Sequence, residues 1–207
     1  MASACESKVF NIEYNVKLRD CFFAKGQPYS VMDMLGQDPL SAHFAGGTVY
    51  QAFLSAVSYH RWHSPVSGTV RRAFVRDGTY FSVPLFTGVG DRDVADISQD
   101  GLGMAQGYIS AMATRAIIII EADNVDIGLV AFVAIGMDEI STCEITVDEG
   151  QRVEKGQQTG MFHYGGSSHC LLFRKGVHLQ GLPEVGREIN VPVRGQLARA
   201  SHPRTQL

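Results

Sequence analysis

Apolar and polar residues alternate along much of the chain with the two-residue period of β-strands. Strands with one buried face are predicted at three places, residues 9–18, 69–86 and 139–147. Residues 113–121 and 127–135 are almost continuously apolar, which predicts strands that are covered on both faces. A final strand is expected over residues 182–196, and the polar tail after Leu197 is expected to fray.

Helical signals are few. Residues 30–35 predict one short helix, with Ser30 as its N-cap and Asp33 three residues later. Residues 22–29 predict a strand followed by a turn, and the Gly- and Asp-rich residues 88–107 predict a long loop that faces or covers a substrate site. Together these elements predict an α+β fold, made mainly of antiparallel β-sheets with a few short helices.

The composition is that of one globular domain spanning residues 1–207. The chain is 45% hydrophobic and carries a formal net charge of -3. This charge argues against nucleic acid as a partner, because phosphate binding needs a concentrated basic face. The four cysteines lie far apart and form no CxxC motif, so we expect reduced, buried thiols and no metal site.

The sequence also bears on location. The N-terminus lacks a basic segment followed by an apolar run, and the longest apolar run, Ala116 to Ile120, is too short to span a bilayer. We therefore expect a cytoplasmic protein, or one that contacts a membrane only peripherally. The strand pattern begins almost at the first residue, so we also expect the chain to be truncated at its N-terminus relative to its homologues.

The segment Gly165-Gly166-Ser167-Ser168 carries the clearest chemical signal. Two glycines leave the carbonyl of Gly166 unhindered, directly beside the hydroxyl of Ser167. Apolar residues on both sides predict two flanking strands, with a sharp turn between them and Ser167 at its tip. The segment is then either a reactive serine beside an exposed carbonyl or an ordinary hairpin turn, since Gly and Ser are common in turns.

A histidine pair and one early carboxylate are further candidates. His60 and His63 flank Arg61 and Trp62 at the edge of a predicted element. They are either a general base with a polar binding group, or one buried histidine and one at the surface. A zinc site lacks a third ligand at a suitable spacing. Glu6, His63 and Ser167 have the residue types of a carboxylate–histidine–serine constellation, although spacing alone does not select these three.

Four segments of the chain resemble the phosphatidylserine decarboxylase family, in the order and spacing of that family. They are KGQPYSVMDMLG (25–36), YHRWHSPVSG (59–68), ATRAIIIIEADN (113–124) and VEKGQQTGMFHYGGSSHCLLFRKGV (153–177). The likeness covers nearly the whole chain. The combination of the HRxHxP segment with a GSS motif near the C-terminus is specific. The form GMFHYGGSSHCLLF is most similar to the fungal-type branch, which includes soluble aromatic amino acid decarboxylases.

The resemblance implies a cofactor that the chain makes from itself. Ser167 would attack the carbonyl carbon of Gly166, and the chain would separate into a β chain, 1–166, and an α chain, 167–207. Position 167 would become a covalent pyruvoyl group, which binds the substrate amine as a Schiff base and accepts electrons when carbon dioxide leaves.

The resemblance also assigns roles to side chains. His63 is the base for self-cleavage and the acid that returns a proton to the substrate. Glu6 stands where the family normally has Asp, as the carboxylate that orients His63. Three further residues, His60, Ser168 and Phe81, are expected to bind the substrate.

The implied function is the decarboxylation of phosphatidylserine to phosphatidylethanolamine. Two alternatives remain open: a soluble aromatic amino acid decarboxylase with the same chemistry, and a relative that neither cleaves itself nor catalyses. A biotin- or lipoyl-carrier domain is excluded because no lysine stands at a hairpin tip. The expected partners are a substrate with a free α-amino acid group, the two chains left by cleavage, and further copies of the protein in a homo-oligomer.

Overall fold

Strands make up most of the computed structural model, which describes residues 1–19, 29–55, 57, 59–79, 106–136, 142–163, 167–186 and 189–201. The strands are β1 (Lys8–Tyr14), β2 (Thr48–Leu54), β3 (Arg61–His63), β4 (Gly68–Arg76), β5 (Arg115–Ala122), β6 (Leu129–Gly136), β7 (Thr142–Ile145), β8 (Arg152–Val153), β9 (Gln158–His163), β10 (Ser167–Phe173), β11 (His178–Gln180) and β12 (Arg199–Ser201). The helices are α1 (Val31–Met34), a 3₁₀-helix (Pro39–Phe44) and α2 (Gln106–Met112).

The strands form three sheets. The large sheet has seven strands in the order β1-β2-β10-β6-β5-β4-β8, a second sheet has the order β3-β9-β7, and β11 pairs with β12. Every pair of neighbouring strands is antiparallel. The predicted α+β class with mainly antiparallel sheets and a few short helices is therefore confirmed.

The large sheet is buried on both faces because its central strands are apolar throughout. In β5, Ile118 and Ile120 face one cluster, whose other side is built by the three-stranded sheet and the N-terminal segment. Ile117 and Ile119 face the opposite cluster, which the two α-helices and the 3₁₀-helix cover. The continuous apolar runs of the sequence follow from this double burial.

Several sequence predictions are confirmed by these elements. The two apolar runs are β5 and β6, and the alternating stretches contain β1, β4 and β7. Ser30 is the N-cap of α1, but its hydroxyl donates to Asp33 Oδ2 at 2.5 Å and not to the helix backbone. Of the strand and turn predicted at 22–29, only Tyr29 is described. Of the loop predicted at 88–107, only Gln106 and Gly107 are described, and they belong to α2 and not to a loop.

Other predictions are wrong. Residues 182–196 do not form a strand in the part that is described, since Val191 makes only an isolated bridge with Ser7 and two prolines interrupt the segment. The chain does not fray directly after Leu197, because β12 follows and pairs with β11. Helix α2 was not predicted, because its seven residues are too few to show a helical period.

The two larger sheets meet at one corner of the molecule. Gly136, at the end of β6, pairs with Ser167, and Thr142, at the start of β7, pairs with His163. The chain passes between the two sheets here from β6 to β7 and from β9 to β10, and it also does so from β2, whose last residue pairs with Ser167, to β3. Among the described residues, no helix is long and apolar enough to cross a membrane.

Gly160 allows β9 to lie close to both of its neighbours in the small sheet, β7 and β3. A Cβ atom at this position would lie 2.4 Å from the carbonyl oxygen of Glu144 and 2.5 Å from the ring of Trp62. We expect Gly160→Ala to lower the free energy of unfolding by about 1–3 kcal/mol or more, because neither neighbour has room to move. Urea denaturation measures the loss.

The matched control is Thr142→Val, at an exposed position of β7. It should change the free energy of unfolding by less than about 0.5 kcal/mol. Both variants are made in the Ser167→Ala chain, so that self-cleavage does not differ between samples. Equal stability of the two variants would contradict the packing role of Gly160.

Candidate active site

Ser167 is the first residue of β10, in the middle of the large sheet. It pairs with Leu54 on one side and with Gly136 on the other. It is only 2% exposed, and its Oγ has no hydrogen-bond partner among the described residues. A buried hydroxyl without a partner is rare in folded proteins and indicates a functional group.

This position corrects two expectations. Ser167 lies in a strand, not at the tip of a turn, because backbone pairing on both sides begins with it. The hairpin alternative is also wrong, since β9 and β10 belong to different sheets and do not pair with each other. Gly166, the other residue of the predicted cleavage site, lies outside the described residues.

His169 lies two residues beyond Ser167 on the same face of β10. Its side chain is fully buried, and neither ring nitrogen has a hydrogen-bond partner among the described residues. The ring stacks on Phe132 with centroids 5.8 Å apart and lies 5.9 Å from the ring of Tyr50. Burial lowers the pKa of His169 to about 3, so the imidazole is neutral at physiological pH.

The opposite face of β10 carries Ser168 and a buried polar network. Ser168 Oγ accepts a hydrogen bond from Gln51 Nε2 at 3.4 Å, and the same amide donates to Gln106 Oε1 at 2.8 Å. Gln51 Oε1 accepts from the hydroxyl of Tyr29 at 2.5 Å. These four side chains are buried. Ser168 is thus held on the face away from Ser167, and its role in substrate binding stays a prediction.

His63 is buried at the end of β3, and both of its ring nitrogens are engaged. Nδ1 lies 2.9 Å from the carbonyl oxygen of Gly156, which can only accept, so Nδ1 carries the proton of the neutral ring. Nε2 then accepts from the hydroxyl of Tyr59 at 3.1 Å. The two rings are stacked, with centroids 5.7 Å apart. Desolvation lowers the pKa of His63, and the hydrogen bond to Gly156 opposes this effect in part.

His60 lies at the same end of the large sheet as Ser167. Its Nε2 is 2.8 Å from the carbonyl oxygen of Ser55, the residue after Leu54, which pairs with Ser167. The backbone carbonyl of His60 accepts from the amide of Phe162, near the end of β9. His60 therefore lies close to the junction that leads into β10, and its substrate-binding role stays a prediction.

Glu6 also comes to this end of the sheet. It lies two residues before Lys8, which pairs with Phe53 next to Leu54. The same N-terminal segment reaches β3, because the carbonyl of Ala4 accepts from the amide of His63. Glu6 is half-buried. The structure thus brings Glu6, His60 and Ser167 to one end of the sheet, whereas Phe81 lies outside the described residues.

Sequence reasoning did not single out His169, Gln51 or Tyr59. A signal for His169 was available, because a histidine two residues beyond the serine in a predicted strand must share its face. The partners of Gln51 and His63 depend on pairing between distant strands, which the sequence pattern does not give. His163 and Glu144, whose Nε2 and Oε2 are 2.5 Å apart, form a further exposed pair at the corner between the sheets.

Comparisons with known proteins identify the family. The profile of the family described as phosphatidylserine decarboxylase matches residues 1–194. The chain is 47% identical over 173 residues to "Decarboxylase iboD" of Amanita muscaria. The matched region covers 82% of this chain and 49% of that protein. It is 45% identical over 177 residues to the "L-tryptophan decarboxylase" of Psilocybe cubensis, covering 84% of this chain and 40% of that protein.

A more distant relative is the "Phosphatidylserine decarboxylase proenzyme 3" of Schizosaccharomyces pombe. It is 25% identical over 177 residues, which cover 86% of this chain and 16% of that protein. The chain therefore spans about half of the length of its fungal relatives, or less.

The burial of His169 makes the stability of the fold depend on pH. Above pH 7 the ring is neutral in both the folded and the unfolded chain. As the pH falls below the usual histidine pKa, His169 binds a proton in the unfolded chain. In the folded chain, where the pKa of His169 is about 3, it does not. We expect this histidine to cost about 2 kcal/mol of unfolding free energy between pH 7 and pH 5.

Urea denaturation at both pH values measures this dependence in the Ser167→Ala chain, with and without His169→Leu. The Leu variant should lose less stability on acidification, because it lacks the group that takes up the proton. The same change in stability in both chains would show that His169 is not the buried neutral group described above.

Proposed function

This chain belongs to the phosphatidylserine decarboxylase family, and we propose from this premise that it is a carboxy-lyase that makes a pyruvoyl group from its own Ser167. The observation that supports the proposal best is the state of Ser167 itself. Its hydroxyl is buried at the start of a central strand, directly after two glycines, and finds no hydrogen-bond partner within the described ranges. A serine that attacks the neighbouring carbonyl also needs a base within hydrogen-bond reach to take its proton.

The position of β10 is also suited to self-cleavage before Ser167. Cleavage there would leave a β chain of residues 1–166 and an α chain of residues 167–207. The α chain would begin with β10, which pairs along its whole length with β2 and with β6. The new chain end would therefore stay fixed in the core, where a reactive group must be held in one geometry.

The pyruvoyl group, once formed, supplies the electron sink that decarboxylation requires. The residues of the chain would handle binding and protons. His63 is proposed to deliver the proton that replaces carbon dioxide, and its hydrogen bond with Tyr59 is the contact through which a proton would reach the ring. Glu6, His60, Ser168 and Phe81 keep the roles in orientation and substrate binding that the family resemblance implies.

The substrate must carry a primary amine and a carboxylate on one carbon, which both phosphatidylserine and a free amino acid provide. The names of the relatives favour the free amino acid. The relative named L-tryptophan decarboxylase is 45% identical to this chain, and the phosphatidylserine decarboxylase proenzyme is 25% identical. We therefore propose an aromatic L-amino acid as substrate, with phosphatidylserine as the other candidate.

Intact mass under denaturing conditions tests the self-made group. We expect two chains that separate between Gly166 and Ser167, with the smaller one lighter by one ammonia than hydrolysis alone would give. Ser167→Ala should remain one chain at the full 22.6 kDa, because it lacks the attacking hydroxyl. A single full-length mass for the wild-type chain would support the alternative of a relative that does not cleave itself.

Release of carbon dioxide tests the substrate. Purified wild-type protein is offered L-tryptophan in buffer and, separately, phosphatidylserine in detergent micelles. We expect release from tryptophan, and none from either substrate with the uncleaved Ser167→Ala chain as the matched blank. Release from phosphatidylserine alone would reject the free amino acid and leave the decarboxylase chemistry in place.

A further inference from the structure

The imidazole of His63 is fixed by the backbone on one side only. Its Nδ1 lies 2.9 Å from the carbonyl oxygen of Gly156. That residue is anchored in turn, because its amide donates to the carbonyl of Ser64 at 2.8 Å, directly after β3. A carbonyl only accepts, so Nδ1 carries the proton and the lone pair of the neutral ring lies on Nε2. The backbone therefore selects the tautomer and leaves Nε2 to a side chain.

Tyr59 supplies the contact on the other side of the ring. Its hydroxyl lies 3.1 Å from Nε2 and donates to it, because a ring nitrogen that carries a lone pair only accepts. The phenol ring also stacks on the imidazole, with centroids 5.7 Å apart and planes 24° apart. Tyr59 is 41% exposed and His63 only 6%, so the phenol contributes to the burial of the imidazole. In the part of the chain that the structure describes, no second side chain hydrogen-bonds to this imidazole.

The charges around the ring favour its neutral form. Burial lowers the pKa of His63 most, Arg194 and Arg61 lower it further, and the carbonyl of Gly156 raises it. A hydroxyl that donates to Nε2 also stabilises the neutral ring, because that bond is lost when the nitrogen takes up a proton. His63 is thus held as a neutral imidazole with its lone pair in one defined place.

We propose that Tyr59 is a positioning residue for His63, and that it defines Nε2 as the ring nitrogen that exchanges protons. The inference rests on the proposed function, in which the family resemblance makes His63 the base for self-cleavage. A base needs its lone pair in one orientation, and a neutral ring before the reaction begins. Tyr59 acts through His63 and does not itself touch the reacting atoms.

Nuclear magnetic resonance of the imidazole nitrogens tests the positioning directly. It uses the uncleaved Ser167→Ala chain with isotope-labelled histidine, so the result does not depend on catalysis. We expect the proton of His63 on Nδ1. Tyr59→Phe keeps the aromatic ring and removes the hydroxyl, so the pKa of His63 should rise. An unchanged or lower pKa, or a proton on Nε2 in the parent chain, would overturn the proposal.

The matched control is Tyr14→Phe, which removes the hydroxyl of a tyrosine that is 62% exposed at the end of β1. It makes the same chemical change away from His63. The titration of His63 should therefore be the same in this variant and in the parent chain.

The rate of self-cleavage gives a second readout. Each chain is made by cell-free translation, transferred to pH 6 or pH 8, and followed by gel separation of the β and α chains. The neutral fraction of a base falls as the pH falls through its pKa. Tyr59→Phe should cleave within about threefold of the wild-type rate at pH 8. At pH 6 it should be about two- to fivefold slower than wild type, because one ordinary hydrogen bond shifts a protonation equilibrium by about fivefold.

The cleavage rates also separate positioning from packing. Equal slowing of Tyr59→Phe at both pH values would show that the side chain matters only for packing, and no slowing at either would show that it does not act on His63. Either result would overturn the proposal. A wild-type chain that does not cleave would instead refute the proposed function, and the titration of His63 would still decide on Tyr59.

Discussion

The hydrogen-bond ladders that hold β10 between β2 and β6 are the constraint on which the rest of the structure depends. They begin at Ser167 itself, so the proposed reactive residue is fixed by backbone pairing from both sides. The strands around it bury its hydroxyl, which has no hydrogen-bond partner among residues whose positions are described. In a flexible turn, water would hydrate the serine, and its hydroxyl could adopt many orientations.

The alternation of side chains along β10 divides the site into two halves. One face carries Ser167 and His169, whose side-chain polar atoms have no hydrogen-bond partner in the part of the chain that the structure describes. The other carries Ser168, whose hydroxyl belongs to a network that runs through Gln51 to Gln106 and Tyr29. One half has polar groups whose hydrogen bonds are not made among the described residues, and in the other half the hydrogen bonds are made.

The sequence predicted the parts of this protein that depend on local pattern. The apolar runs gave β5 and β6, and the glycines before Ser167 marked the position of the candidate site. The sequence did not predict that β9 and β10 lie in different sheets, because strand pairing is decided by contacts between residues far apart in the chain. For the same reason the partners of Gln51 and of His63 appear only in the folded structure. The error at 182–196 arose because prolines prevent pairing where hydrophobic alternation favours it.

The junction between β9 and β10 is one of the chain crossings at the corner where the sheets meet, beside those from β2 to β3 and from β6 to β7. Cleavage before Ser167 would cut this crossing and leave those from β2 to β3 and from β6 to β7 intact. Cleavage would then remove one covalent link between the two sheets, and it would also form the cofactor. The small sheet, which carries His63, would gain freedom to move relative to the strand that carries position 167. A precursor and its mature form with almost the same fold could therefore differ in how far this corner opens to a substrate.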